Sequence, residues 1–274
     1  MPLLFPLAVF LSAALLFLVE PMFARMLLPT LGGAPAVWNT CVACYQALLL
    51  AGYAYAHLIA RRLRLRTQIA VHLLLILTAA LALPVGVDRA WAPAPSDKPS
   101  PAVLWLLLES LGLPFFVLAA SGPLLQQWFA WRHGATSNPY RLYAASNVGS
   151  LLALLAYPIA IEPLLRLSEQ SVVWTAGYAT FFVIALGCGL ATWNAGSGVT
   201  QPARASADEA GVSTSRRLQW LGLALVPSSL MLSVTTFVST DIAAVPMLWV
   251  VPLALYLITL IIAFADRQIF SRTM

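Results

Sequence analysis

Apolar segments of about twenty residues recur along nearly the whole chain, separated by polar or breaker-rich segments. A helix needs about 20 predominantly apolar residues to cross the hydrocarbon core of a bilayer. The pattern therefore predicts about eight transmembrane helices, at roughly 3–24, 37–60, 68–87, 102–130, 142–165, 172–193, 218–240 and 245–265. Residues 88–101 form a proline-rich loop, and 194–217 form a flexible linker rich in Gly, Ser and Ala. We expect an all-α, polytopic membrane helix bundle with 1–274 as a single transmembrane domain.

The composition argues against the soluble classes of protein. Of 274 residues, 61% are hydrophobic and 9% are charged, whereas a soluble domain carries about a quarter charged residues. A soluble enzyme, a nucleic-acid-binding domain and a disordered chain are therefore disfavoured.

Cys41, Cys44 and Cys188 lie in apolar segments, so no disulfide framework is indicated. Cys41 and Cys44 have the spacing of a redox or metal motif, but packing inside an apolar helix is the favoured interpretation. We expect no metal site and no cofactor.

Basic residues in the loops predict how the helices are oriented. With a cytoplasmic N-terminus, eleven of the fifteen Lys and Arg residues fall in cytoplasmic loops and four, Arg25, Arg89, Lys98 and Arg166, fall outside. Cytoplasmic loops carry an excess of Lys and Arg. The bias predicts that both termini of this multi-pass membrane protein are cytoplasmic.

Three glutamates lie within predicted spans, where an ionisable residue indicates function by default. Glu20 and Glu162 lie near the outer ends of their spans, and Glu109 lies about 10 Å below the outer boundary at 1.5 Å per residue. Three carboxylates at similar depth suggest a site for a cation. A structural alternative is open for two of them. Glu162 precedes Arg166 by four residues, the favoured order for a helical ion pair, and Glu20 and Arg25 can both extend to the headgroups.

Two Glu-Pro pairs share an outline. Glu20-Pro21 and Glu162-Pro163 each end an apolar run and are followed by an arginine a turn later. A proline inside a span frees a backbone carbonyl and kinks the helix, a device that transporters use at binding sites. The two segments are either related halves of an internal repeat, or unrelated segments that have similar residues because both lie at the membrane interface. Pro114 in the fourth span likewise predicts a kinked or broken helix.

The fifth predicted span contains small residues at helical spacing. Ala145 and Gly149, four residues apart, predict close approach of a neighbouring helix. Asn147 on the same span needs a hydrogen-bond partner, and a structural role is favoured over ligand contact. His57 and His72 flank an Arg-rich cytoplasmic loop, so we expect both at the membrane interface.

Four long segments carry a family resemblance. They are LLFLVEPMFARMLLPTLGGAPAVWNTC at 15–41, LPFFVLAASGPLLQQWF at 113–129, NPYRLYAASNVGSLLALLAYPIAIEP at 138–163, and PSSLMLSVTTFVSTDIAAVPMLWVVPLALYLITLIIAF at 227–264. Together they resemble the membrane (N-terminal) portion of the bacterial fused MFS/spermidine synthase family, which implies a multi-pass protein of the bacterial inner (plasma) membrane. In that family a helical membrane region leads into a cytoplasmic aminopropyltransferase-like domain. The motifs of that catalytic domain match no position in this sequence, so no catalytic residue is carried over.

The resemblance implies a link to polyamines, which are flexible polycations. A polyamine site needs separated carboxylates, with aromatic faces for cation–π contact. The candidate ligand-binding residues are Glu20, Glu109, Glu162, Asp241, Trp38, Trp105 and Trp174. The candidate structural polar residues are Asn147, Arg166 and Arg25.

Two classes of function follow. The first is a transporter-like membrane protein that binds or translocates a small organic cation, such as a polyamine, through an outward-facing acidic cavity. The second is a non-transporting anchor or scaffold for a cytoplasmic aminopropyltransferase (spermidine synthase-like) domain or subunit. Catalysis by this chain itself is disfavoured, because no base, nucleophile or metal constellation is visible in the sequence. The sequence indicates no partner other than lipid, a small organic cation and an aminopropyltransferase. Nucleic acid is not an expected partner.

Overall fold

The computed structural model describes residues 3–31, 35–87, 99–134, 140–195, 213–237 and 250–263. Across these ranges the regular elements are helices, with no strand among them. The α-helices are α1 (Leu4–Leu31), α2 (Pro35–Arg62), α3 (Leu65–Ala79), α4 (Pro99–Leu107), α5 (Leu113–His133), α6 (Tyr140–Ala156), α7 (Glu162–Leu164), α8 (Leu167–Ala195), α9 (Thr214–Phe237) and α10 (Val250–Ala263). A 3₁₀ turn, Ala80–Ala82, extends α3. The π-helical segments Leu108–Gly112 and Tyr157–Ile161 join α4 to α5 and α6 to α7.

Seven helical segments in the described ranges are long and apolar enough to cross a membrane. They are Leu4–Leu31, Asn39–Arg62, Leu65–Ala82, Pro101–His133, Arg141–Leu164, Leu167–Trp193 and Thr214–Val234. A shorter apolar helix, Val250–Ile262, lies within the eighth predicted span. The segments overlap the eight predicted spans in order, and the prediction of an all-α helix bundle is confirmed.

Large apolar side chains lie on the outside of the bundle. Leu81 is 85% exposed, Leu164 77% and Ile159 74%, and most described side chains of α9 are exposed as well. A soluble monomer rarely exposes continuous apolar surface of this kind. The chain is a multi-pass membrane protein, and this apolar surface contacts lipid.

Helices α1 and α6 run parallel and in close contact. Gly149 on α6 packs on α1 where a Cβ atom would lie 2.4 Å from the Phe10 carbonyl oxygen. Further along both helices, Arg25 of α1 meets Glu162 of α7. Because only a residue without a side chain fits at this contact, the predicted close approach at Gly149 is confirmed.

Helix α8 runs antiparallel to α1. Leu15 of α1 packs on Gly177, and Leu4, eleven residues earlier, packs on Gly187. This direction agrees with the alternation of spans that the loop pattern predicts. Which end of the bundle faces the cytoplasm stays a prediction.

The fourth and fifth spans are each interrupted by a π-helical turn beside a proline. Leu108–Gly112 precedes Pro114, and Tyr157–Ile161 contains Pro158. A proline has no N–H to donate to the carbonyl four residues earlier, and a single π turn absorbs that mismatch without ending the helix. Such π turns occur frequently at functional sites, and here they immediately precede Glu162 and include Glu109.

Candidate functional site

Glu20 is an acidic residue inside a membrane span, between helices α1 and α2. Its side chain is partly buried, and the next residue in α1, Pro21, is buried. The carboxylate lies close enough to the Tyr45 side chain of α2 for an electrostatic interaction. Tyr45 is 3% exposed and stacks on Phe115 of α5 with ring centroids 5.2 Å apart. Among the described residues its buried hydroxyl has no hydrogen-bond partner, so an acidic side chain and an unpaired hydroxyl lie near each other in the bundle.

The two cysteines of α2 lie next to this pair. Cys41 and Cys44 are both buried, free thiols, and both interact electrostatically with Tyr45. Across the described part of the chain, no group of three or more His, Cys, Asp and Glu side chains could hold a metal ion. Both thiols belong to the buried apolar core of the bundle.

Glu162 is bound to an arginine of another helix. Arg25 Nη2 of α1 lies 2.6 Å from Glu162 Oε1, with 39% of the arginine and 23% of the glutamate side chain exposed. The sequence suggested Arg166 as the partner, and that pairing is wrong. Helix α7 ends at Leu164, and Leu165 is extended (φ −121°, ψ 136°), so Arg166 is not one turn above Glu162 on the same helix.

Arg166 contacts a nearby residue through its backbone. Its backbone N–H donates a 2.7 Å hydrogen bond to the Glu169 side chain at the start of α8. The arginine after the first Glu-Pro pair therefore binds the glutamate of the second pair. Arg25 and Glu162 therefore neutralise each other across two helices.

Glu20 and Arg25 belong to different faces of α1. Residues of an α-helix are separated by about 100° around the axis, so five positions place the two side chains about 140° apart. Glu20 faces Tyr45 of α2, while Arg25 faces Glu162 of α7. The carboxylates of Glu20 and Glu162 therefore have separate neighbours.

Glu109 and Trp105 lie on the outside of the bundle. Both side chains are exposed, Trp105 by 67%. Glu109 belongs to the π-helical turn Leu108–Gly112. The structure therefore does not bring Glu109 into the interior beside Glu20, and its role as a ligand residue stays a prediction.

Of the remaining candidate ligand-binding residues, the structure describes the side chain of Trp174. Trp174 is 2% exposed, stacks on Tyr178 at 5.7 Å, and donates a 2.9 Å hydrogen bond from Nε1 to the Leu15 carbonyl. Its indole is thereby committed to joining α8 to α1. Asp241 and the side chain of Trp38 lie outside the described residues.

Asn147 has the structural partner that a buried amide needs. It is 7% exposed, and its Nδ2 donates a 3.0 Å hydrogen bond to the Tyr143 carbonyl in the preceding turn of α6. The amide is satisfied within its own helix.

A second polar group at the other end of the bundle was missed by sequence reasoning. His72 is 1% exposed, and its Nε2 lies 3.0 Å from the Oγ of the fully buried Ser121 on α5. Whether His72 lies at the membrane interface stays a prediction, but within the bundle α3 turns its side chain towards α5. His57, in contrast, is exposed. In the sequence, this buried polar group is indicated by the spacing of Gln68 and His72, which lie four residues apart on one face of α3.

Comparison with known proteins identifies no relative: no protein-family model, no curated protein and no solved structure matches the chain.

Proposed function

We propose that this membrane protein binds a small organic cation at Glu20 and carries it across the membrane. The observation that carries the proposal is an acidic side chain inside a span that has no ion-pair partner in the described part of the chain. It lies near a buried hydroxyl that has no hydrogen-bond partner there either. Intramembrane carboxylates are costly and occur mainly on substrate and ion pathways. Glu20 supplies the negative charge that an ammonium group requires.

The neighbouring groups suit an alkylammonium ligand. The Tyr45 hydroxyl can accept a hydrogen bond from an ammonium N–H, and the aromatic rings of Tyr45 and Phe115 offer apolar contact for the carbon chain. Pro21 removes the N–H that would bind the Phe17 carbonyl, which leaves that carbonyl as a further acceptor. A cation with several amino groups is the favoured substrate, since the sequence resembles a polyamine-linked family.

The net charge of the region limits the substrate. Arg25 already compensates Glu162, and Glu109 is exposed on the outside of its helix. Glu20 therefore binds one amino group, and any other amino group of a polyamine must find oxygen acceptors or water.

Uptake of labelled spermidine into proteoliposomes tests the proposal. We expect uptake by the wild-type chain and a loss of about tenfold or more in Glu20→Gln, since removing one charge-assisted contact of about 1.5–3 kcal/mol changes affinity by at least that factor. Tyr45→Phe should weaken binding less, because it removes a neutral hydrogen bond. Glu169→Gln, at an exposed position at the start of α8, is the matched control and should behave like the wild type. Uptake unchanged in Glu20→Gln would refute the mechanism.

A scaffold for an aminopropyltransferase is the second candidate. The observation that favours it is the neutralisation of Glu162 by Arg25, which leaves fewer free carboxylates than a polyamine site with several contacts would use. Recovery of an added soluble aminopropyltransferase with the chain, together with no spermidine uptake, would support the scaffold over the transporter.

A further inference from the structure

Four buried polar atoms without a hydrogen-bond partner among the described residues belong to neighbouring side chains of α2, α3 and α5. In the described ranges, five buried side-chain atoms make no hydrogen bond, and four of them belong to this group: Tyr55 Oη, Gln68 Oε1, His72 Nδ1 and Trp128 Nε1. The His72 ring lies 6.1 Å from the Tyr55 ring and 6.0 Å from the Trp128 ring, between centroids. Gln68 precedes His72 by one turn on the same face of α3. We refer to these four side chains as the inner polar cluster.

Hydrogen bonds around the cluster determine which atoms donate and which accept. The Ser121 hydroxyl donates to the Val117 carbonyl at 2.7 Å, so its oxygen accepts from His72 Nε2, 3.0 Å away. The proton of the neutral imidazole is then on Nε2, and Nδ1 is an acceptor. Gln68 Nε2 donates to the Ala60 and Leu63 carbonyls, so the outward Oε1 is a second acceptor.

The other two atoms supply donors. Trp128 Nε1–H is a donor only, and the Tyr55 hydroxyl can donate. The inner polar cluster therefore presents two donors and two acceptors, and none of its members carries a charge. Trp128, His72 and Gln68 are 0%, 1% and 2% exposed, so bulk solvent does not satisfy them.

We propose that the inner polar cluster is a binding site for ordered water inside the membrane span. Water accepts two hydrogen bonds and donates two, which matches the two donors and two acceptors of the cluster. A cation would meet the two donors, and an anion would meet the two acceptors, so a neutral ligand is required. Buried water typically satisfies polar groups that have no other partner, and in a bilayer an unsatisfied group has no alternative source of hydrogen bonds.

The position of the site gives it a role distinct from that of Glu20. His72 lies seven residues into α3, about 10 Å along the helix at 1.5 Å per residue. Water at this depth hydrates the predicted cytoplasmic half of the bundle, whereas Glu20 lies towards the opposite end. The proposal does not depend on the identity of any transported cation.

The Trp128 indole proton offers a direct test, with Trp174 as the matched control. Both indoles are buried, but Trp174 Nε1 donates to the Leu15 carbonyl at 2.9 Å while Trp128 Nε1 has no protein partner. The full chain, labelled with ¹⁵N-indole tryptophan and placed in lipid nanodiscs, is measured by NMR, and Trp128→Phe and Trp174→Phe assign the two signals. We expect a water cross-peak at the Trp128 indole proton and none at that of Trp174. Absence of the cross-peak from both protons overturns the proposal.

Tyr55→Phe tests whether the water has the partners assigned to it. The substitution keeps the ring that packs on His72 and Phe116 and removes one donor. Loss of one hydrogen bond of typical strength should reduce the Trp128 water cross-peak by about twofold or more. An undiminished cross-peak overturns the four-partner arrangement, and the wild-type comparison decides the proposal if the variant does not fold.

Discussion

Replacing Gly149 with alanine should separate the helix pair that organises the bundle. An added Cβ would lie 2.4 Å from the Phe10 carbonyl oxygen and 3.1 Å from its carbonyl carbon. Both atoms are backbone, so no side-chain rotation relieves the overlap. Ordinary van der Waals contact begins near 3.4 Å, which makes the shortfall about 1.0 Å. Helices α1 and α6 must move apart by about that distance.

The cost follows from packing density. Inserting a group into a close-packed contact typically destabilises a protein by about 1–3 kcal/mol. Alanine also favours a helix over glycine by up to about 1 kcal/mol, which partly offsets the loss. The same substitution at a glycine on an open helix face measures only the gain in helix propensity. Gly222 on α9 has no atom within 4 Å of an added Cβ, so Gly222→Ala is the reference.

Free energies of unfolding in mixed detergent micelles check the reasoning. We expect Gly149→Ala to be less stable than Gly222→Ala by about 1–3 kcal/mol. Gly52→Ala should lie between them, because its Cβ would meet Ala119 Cβ at 2.9 Å, a smaller overlap. Equal stability of Gly149→Ala and Gly222→Ala would refute the close contact between α1 and α6.

Three further predictions concern the ion pair, a buried indole and the orientation. A double-mutant cycle between Arg25→Gln and Glu162→Gln should give a coupling of up to about 1 kcal/mol, as expected for a partly exposed pair, whereas Arg166→Gln should show no coupling to Glu162. Trp174→Phe should lower the free energy of unfolding by about 0.5–1.5 kcal/mol by removing its hydrogen bond, whereas Trp105→Phe, on an exposed residue, should change it by less than about 0.5 kcal/mol. A reporter fused to the C-terminus should be active only on the cytoplasmic side, because basic residues concentrate in loops on that side, and activity on the outside would contradict this orientation.

The ion pair shows where sequence reasoning about the candidate site stops. The spacing of Glu162 and Arg166 correctly marks two charged residues near a helix end, but it assumes that the helix continues between them. The chain becomes extended at Leu165, and a parallel neighbour brings Arg25 within reach. Glu20 was identified as an unusual residue from its span alone, but its contact with Tyr45 depends on how α1 and α2 are rotated.

The histidines make the same point at the opposite end of the bundle. His57 and His72 flank the same Arg-rich loop, and both were expected at the interface. One is exposed and the other is buried against Ser121. Apart from that loop, the residues around each histidine are largely apolar on every face of the helix, so their periodicity does not indicate which face packs inwards.

The amino-acid sequence is sufficient to predict the helical class, the order of the apolar spans, and the position of the small residue that allows α1 and α6 to touch. These properties are local, because length and hydropathy decide whether a segment crosses a bilayer. Packing in three dimensions determines that Glu162 binds Arg25, that Glu109 is exposed, and that the rings of Tyr55 and Trp128 lie beside His72. The physical reason is that lipid and protein interior are equally apolar, so hydropathy does not determine how each helix is turned about its axis, and packing does.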